Sequence, residues 1–155
     1  GYNVEHVQEL IKFKVYQKQD FRMEGFDVHN NIEQRKWEKI FDETTPAFDF
    51  IICDAPTFNG YFYASYYKKE EAAILRTIAL KTVNNYDVIL KLDFSIDKDV
   101  YQQQGRLESF ENSKKLRNHI FAEFEKLNFK NEILVVDERD DILKIIKNLE
   151  EIKSH

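Results

Sequence analysis

Three apolar runs in this chain each close on an aspartate: "FIICD" at 50–54, "VILKLD" at 88–93 and "EILVVD" at 132–137. Helical hydropathy separates them. Continuous rather than alternating apolar runs belong to strands buried on both faces. Strands that alternate with helices call for parallel crossover connections. The expected architecture is therefore a three-layer α/β domain, a parallel sheet with helices on both faces. Ligands of such sheets gather at the carboxyl ends of the strands. Asp54, Asp93 and Asp137 all belong to that edge, and those without a function there would cap a turn or helix.

The remaining elements fit around these runs. Residues 2–7 alternate well enough for a short strand, and 8–16 turn into a helix with Leu10, Ile11 and Val15 on one face. Residues 20–31 are polar and contain Gly25, which predicts a loop. A helix over 32–41 carries Ile32, Lys36, Trp37, Ile40 and Phe41 at helical spacing, and "TTP" at 44–46 stops it. The Tyr-rich stretch 61–67 is either core packing or a contact surface. A helix over 68–83 has Ala72, Leu75, Ile78, Ala79 and Thr82 inward, and Asn84-Asn85 ends it. After the strand over 86–94, the polar stretch that begins at Ser95 becomes amphipathic, with Leu116, Ile120, Phe124 and Leu127 as its stripe. Asp140-Asp141 caps a last helix carrying Ile142, Ile145, Ile146, Leu149 and Ile152.

Composition narrows the function classes. With 43% apolar and 33% charged residues in 155, the chain reads as one soluble globular domain. A net charge of −5 argues against general nucleic-acid binding, which needs a basic face. The single cysteine, Cys53, sits in an apolar run and reads as a buried, inert thiol, in keeping with a reducing cytoplasmic setting. No apolar run suits a membrane span. The four histidines show no metal-ligand spacing, and no Cys cluster suggests structural zinc.

Three groups of residues could carry chemistry. A carboxylate held at a strand tip, as Asp54 is expected to be, can bind magnesium through water or orient an attacking hydroxyl; the alternative is a turn cap. The stretch "YQQQGRLESFENSKKLR" places Tyr101, Gly105, Arg106, Glu108, Glu111 and Arg117 after the second apolar run. Arginines in a lid pair bidentately with phosphate oxygens, whereas a solvated helix with Arg–Glu pairs would look similar. Glu9, just past the first strand, could accept a proton from a substrate hydroxyl, or simply face solvent at a helix start.

Taken together, "GYNVEHVQELIKFKVYQ", "FDFIICDAPTFNGYFY" and "YQQQGRLESFENSKKLRNHI" resemble three consecutive blocks of a P-loop ATPase and kinase family. It is the nicotinamide-riboside-kinase and deoxynucleoside-kinase type, frequent in bacteriophages. In that family the first block opens with a strand ending in Glu, matched by Glu9. The second is a strand ending in Asp-Ser-Pro or similar, matched by Asp54-Ala55-Pro56. The third is a lid with Tyr and then Gly-Arg, matched by Tyr101 and Gly105-Arg106.

The resemblance implies phosphoryl transfer from ATP, with Mg, to a nucleoside or nucleotide. Asp54 would hold the metal or orient the hydroxyl, and Glu9 would contact substrate or act as base. Arg106 and Arg117 would clamp phosphates from a lid over 95–120. Tyr101 would contact the substrate, and the Tyr61–Tyr67 stretch, with Tyr61, would stack on the base or pack in a helix.

One departure stands against this. The family's Gly-x-x-x-x-Gly-Lys-Ser/Thr loop does not occur among Gly1, Gly25, Gly60 and Gly105. In the resembled family the first strand lies between the strands matched by 48–53 and 86–94, so its loss would leave backbone groups unpaired. The expectation is a single kinase-like domain over 1–155, lacking the first strand and P-loop and inactive alone. Either the natural protein is longer, as a start at Gly rather than Met suggests, or those two strands pair directly in a degenerate relative. A non-catalytic module using its acidic, Tyr-rich surface for a protein partner is the competing class.

Overall fold

The computed structural model describes residues 2–17, 25–43, 47–92, 109–136 and the single positions 145 and 151. Their elements run β1 (Val4–Val7), α1 (Leu10–Tyr16), α2 (Phe26–Glu43), β2 (Phe50–Cys53), α3 (Asn59–Tyr66), α4 (Ala72–Thr82), β3 (Val88–Leu92), α5 (Phe110–Phe124) and β4 (Glu132–Val136). Asp93, Asp137, the lid residues 95–108 and the Asp140-Asp141 cap lie outside the described residues. Of the last expected helix, Ile145 and Glu151 are described, and both are helical.

The chain forms two compact units. One holds β1, β2 and α1 to α5; the other holds β3 and β4 and the helical positions Ile145 and Glu151. Both strand pairs are parallel, as the alternating pattern predicts: Val4–Val7 runs beside Phe50–Cys53, and Val88–Leu92 beside Glu132–Val136. Among the described residues no ladder joins the two pairs, so each stands as a two-stranded sheet. Ile52, Leu90 and Val135 are exposed on these strands.

In the first unit, aromatic rings make the core. Phe58, Phe62 and Phe124 pack with centroids 5.9 to 6.4 Å apart, and Leu75, Ala79, Leu116 and Leu127 close around them. The inward stripes expected for α4 and α5 are those observed, because both helices turn apolar residues onto these rings. Ser109 caps α5 by accepting the Asn112 N–H at 3.3 Å. In the second unit, the start of the strand pair is held by side chains. Asn84 Oδ1 accepts the Lys130 N–H at 2.9 Å, and Asn131 donates to the Tyr86 carbonyl at 2.8 Å.

Two expectations fail at α2. The helix starts at Phe26, inside the region expected to be a loop. Gly25 takes φ +74°, a conformation that favours glycine, and its carbonyl accepts the His29 N–H at 2.9 Å to open the first turn. Asp27 suits the positive end of the helix dipole.

The face is also reversed. Ile32, Trp37 and Ile40 are 45–51% exposed, while Asn31, Gln34 and Glu38 are 4–5% exposed. Beyond Phe26, α2 buries a polar stripe, because the chain reversal it packs on presents backbone groups that need polar partners.

The Tyr-rich stretch forms α3. It follows Pro56, whose carbonyl accepts the Asn59 N–H at 2.8 Å, and it closes before Lys68, at φ 53°.

Candidate functional site

The carboxyl ends of β1 and β2 meet the polar stripe of α2. Val7 and Cys53 are register partners, and the Asp54 N–H extends the ladder to the Val7 carbonyl at 3.2 Å. Asp54 therefore leaves the strand tip with its backbone held and its side chain exposed. The turn after it is anchored at Thr57, which is 1% exposed. Glu38 accepts the Thr57 N–H at 2.8 Å and its hydroxyl at 2.7 Å, and Asn31 Nδ2 donates to the Thr57 carbonyl. All the polar groups of one residue are thus satisfied from α2. Arg35 lies 3.5 Å from Glu38 and offsets part of its buried charge.

Burial, with the Glu38 charge adding to it, raises the Cys53 thiol to about 12. Cys53 is half-buried rather than buried, and its raised pKa disfavours the reactive thiolate.

α1 is tied to the same helix. Gln34 Oε1 accepts the Leu10 N–H at 3.3 Å, and Lys14 pairs with Glu33 at 2.9 Å. Glu9, one residue before α1, consequently lines a cleft of about 50 Å³ together with Asn31, Gln34, Pro56 and Tyr63. That is room for roughly three to five waters, or for the edge of a small ring. Gly60 forms part of the wall, and a Cβ there would stand 2.4 Å from Asn31 Nδ2. Only glycine permits that approach.

Three buried atoms at this cleft have no hydrogen-bond partner among the described residues: Asn30 Oδ1, Asn31 Oδ1 and Gln34 Nε2. Each such atom costs about 1–3 kcal/mol when left unsatisfied.

The sequence-derived residues divide. Glu9 lines the cleft with Ala55, Pro56 and Thr57, whereas the exposed Asp54 at the tip of β2 is not part of that lining. Tyr61 is 6% exposed and donates its hydroxyl to Glu123, so it belongs to the packing rather than to a stacking surface. Burial, and then the Glu123 bond, raise its pKa. Arg117 lies within α5, its guanidinium 5.1 Å from the Phe121 ring centre, and is not part of the cleft lining. Residues 109–120 of the expected lid are the Ser109 cap and α5. Arg106 and Tyr101 lie outside the described residues.

Asn30, Asn31, Gln34 and Glu38 were missed as site residues, while Tyr63 belongs to the Tyr-rich stretch that was expected to stack or pack. The only signal in the sequence was a polar i, i+3, i+7 stripe at 31, 34 and 38, which an apolar-face criterion reads as solvent-facing.

No protein-family model matches this chain, and no curated protein matches it.

Among the described residues no group of three His, Cys, Asp or Glu side chains could hold a metal. Asp54 offers one exposed carboxylate. That fits a magnesium ion that keeps several waters and takes its other ligands from phosphate, and it does not fit a metal held by protein groups alone.

Ser65 Oγ lies 2.7 Å from His119 Nε2 and 3.0 Å from the Phe62 carbonyl, so when Ser65 donates to Phe62, His119 Nε2 donates to Ser65. Among the described residues no helix is long and apolar enough to cross a membrane.

Proposed function

We propose that this chain is the acceptor-binding part of a P-loop-type kinase that moves a phosphoryl group from ATP to a nucleoside or nucleotide in the cytoplasm. The observation that carries this reading is that Glu9 and Ala55–Thr57, the turn just after Asp54, line one cleft at the carboxyl ends of two parallel strands. Such edges are where ligands of parallel sheets bind. The strand pairing adds support. β2 and β3 are each paired on one side only among the described residues, and they match the two strands that flank the first strand in the resembled family.

In this reading Glu9 accepts a proton from, or positions, the acceptor hydroxyl. Asp54 orients that hydroxyl or takes a place on magnesium, which when bound would neutralise phosphate charge. Arg106 clamps phosphate from the lid, with Tyr101 against the substrate, and Arg117 contributes only if the lid brings phosphate to α5. The phosphate cradle is not part of this sequence, so the chain alone does not turn over ATP.

The test is twofold. A Gly-Lys-Ser/Thr loop should be encoded within about 30 residues upstream of Gly1, one strand–loop–helix unit. The protein carrying that loop should bind ATP–magnesium in calorimetry, and Arg106→Ala should lower turnover more than ATP binding. No saturation at millimolar ATP would sink the kinase reading. It would leave the non-catalytic module, whose acidic surface would serve a protein partner.

A further inference from the structure

We propose that the outward stripe of α2 and the adjoining side of α4 form a docking groove for an acidic amphipathic helix of a protein partner. The groove shares only Asn31 with the cleft beside Glu9, so its occupant is independent of the acceptor and of phosphoryl transfer.

The groove holds about 300 Å³ between the two helices. Ile32 of α2 and Ile78 of α4 give it an apolar floor, and Arg35, Lys36 and Lys39 line it beside them. Ile74, four residues before Ile78 and 53% exposed, continues the floor along the same side of α4. From residue 32 to residue 39 the helix axis advances about 10 Å, or roughly two turns. A furrow of that length between two helices suits a third helix that lays its apolar face down.

The needs of the fold account for only part of this arrangement. Arg35 lies 3.5 Å from the buried Glu38. Lys39 pairs with Glu43 at 3.2 Å, but both side chains are more than 60% exposed, so the pair holds Lys39 weakly. Lys36 forms no ion pair among the described residues and acts on Glu33 only through space. Arg35 and Lys39 also set like charges at i, i+4, which works against a helix standing alone. Exposed isoleucines and like charges thus break two local rules at one place, which is where a binding function is expected.

Charge decides the occupant. Arg35, Lys36 and Lys39 line the groove, and no carboxylate does so among the described residues, in a chain whose net charge is −5. A second copy seated here across a two-fold axis would bring the same three cations against them. A bilayer is flat and does not reach into a furrow, and an acidic chain is repelled by anionic lipid. A helix with aliphatic side chains on one face and Asp or Glu along its borders meets both the floor and the rim.

The test is fluorescence anisotropy of a labelled peptide titrated with the whole chain. The peptide has about 14 residues, enough to be helical on binding, with leucine at i, i+3, i+4 spacing and glutamate elsewhere. Its twin carries lysine in place of glutamate. The glutamate peptide should saturate below about 1 mM, and the lysine twin should bind at least about tenfold more weakly. Raising salt from about 0.05 to 0.5 M should weaken the glutamate peptide about threefold or more. Lys36→Glu combined with Lys39→Glu should cost at least about tenfold, and Ile32→Ser at least about fivefold. All three positions are exposed, so the fold should tolerate these changes.

Equal binding of the two peptides would overturn the charge assignment, and that comparison uses the wild-type chain alone. No saturation by about 1 mM would overturn the groove as a helix dock. Unchanged affinity in both variants would place the peptide elsewhere and overturn it as well. Binding to phosphatidylserine-containing vesicles that is lost in the Lys36→Glu, Lys39→Glu chain would overturn the peptide in favour of a membrane. Dimerisation in ultracentrifugation that is lost in Ile32→Ser would overturn it in favour of a second copy.

Discussion

Replacing Glu38 should be the most damaging single polar change in the first unit. Its carboxylate is 4% exposed and accepts two hydrogen bonds from Thr57, itself 1% exposed. Bonds to a charged acceptor contribute about 1.5–3 kcal/mol each. Glu38→Ala loses both and strands a buried N–H, while relieving the cost of burying the charge. The net expected loss is about 3–4 kcal/mol. With a urea m-value of about 2 kcal/mol/M, the midpoint should fall by about 1.5–2 M. Glu38→Gln keeps an acceptor for the Thr57 N–H and can donate to the Thr57 hydroxyl, so its loss should be nearer about 1 kcal/mol. The single tryptophan, Trp37, adjoins Glu38 on α2 and reports the transition by fluorescence. If Glu38→Ala lies within about 0.5 kcal/mol of the wild type, α2 does not anchor the turn through this carboxylate, and the placement of Asp54 needs another cause.

Other consequences follow from the same geometry. The Cys53 thiol, raised to about 12, should react with a disulfide reagent far more slowly in the folded protein than in urea at pH 8; equal rates would show it is not shielded. Since its folded pKa lies above the unfolded 9.0, its contribution to stability is full below pH 9 and is lost as pH rises toward 12. Glu123 is shifted the other way, first by its hydrogen bond to Lys126 and then by Tyr61. Its contribution should be present above its unfolded pKa and fall away as acid titrates it, and Tyr61→Phe should flatten that part of the urea-midpoint profile below pH 5. Gly60→Ala should displace Asn31, whose Nδ2 would sit 2.4 Å from the new Cβ. A loss of about 1–3 kcal/mol is expected from breaking the Asn31–Thr57 bond, and an unchanged melting temperature would count against that close approach. Asp54→Asn should leave stability within about 0.5 kcal/mol, because the side chain is exposed, and any effect should appear in magnesium-dependent activity instead.

Local pattern was enough for much of this protein. The apolar runs at β2, β3 and β4 become strands, but the burial on both faces that such runs imply is not met among the described residues, where Ile52, Leu90 and Val135 are exposed. Their alternation with helices gives the parallel sense seen in both pairs. Leu75 and Ala79 on α4, and Leu116 and Phe124 on α5, point inward as their spacing predicts. Asp54 falls at a strand tip because the run ends there and Pro56 prevents its continuation.

The orientation of α2 was not available from pattern. Hydropathy places Ile32, Trp37 and Ile40 inside. The structure instead turns Asn31, Gln34 and Glu38 inward, because the buried Thr57 and the part-buried Leu10 N–H bring backbone groups that take polar partners from α2. That need belongs to residues distant in sequence, so no window along α2 contains it. Tyr61 shows the same effect, being drawn into the core by Glu123 of α5. The sequence by itself determined the strands, the carboxylate at the tip of β2 and the inner faces of α4 and α5. Only the tertiary structure decided which side of α2 meets them, because a buried backbone group outweighs an apolar stripe when no other partner can reach it. The cleft with its three unpartnered atoms follows from that decision.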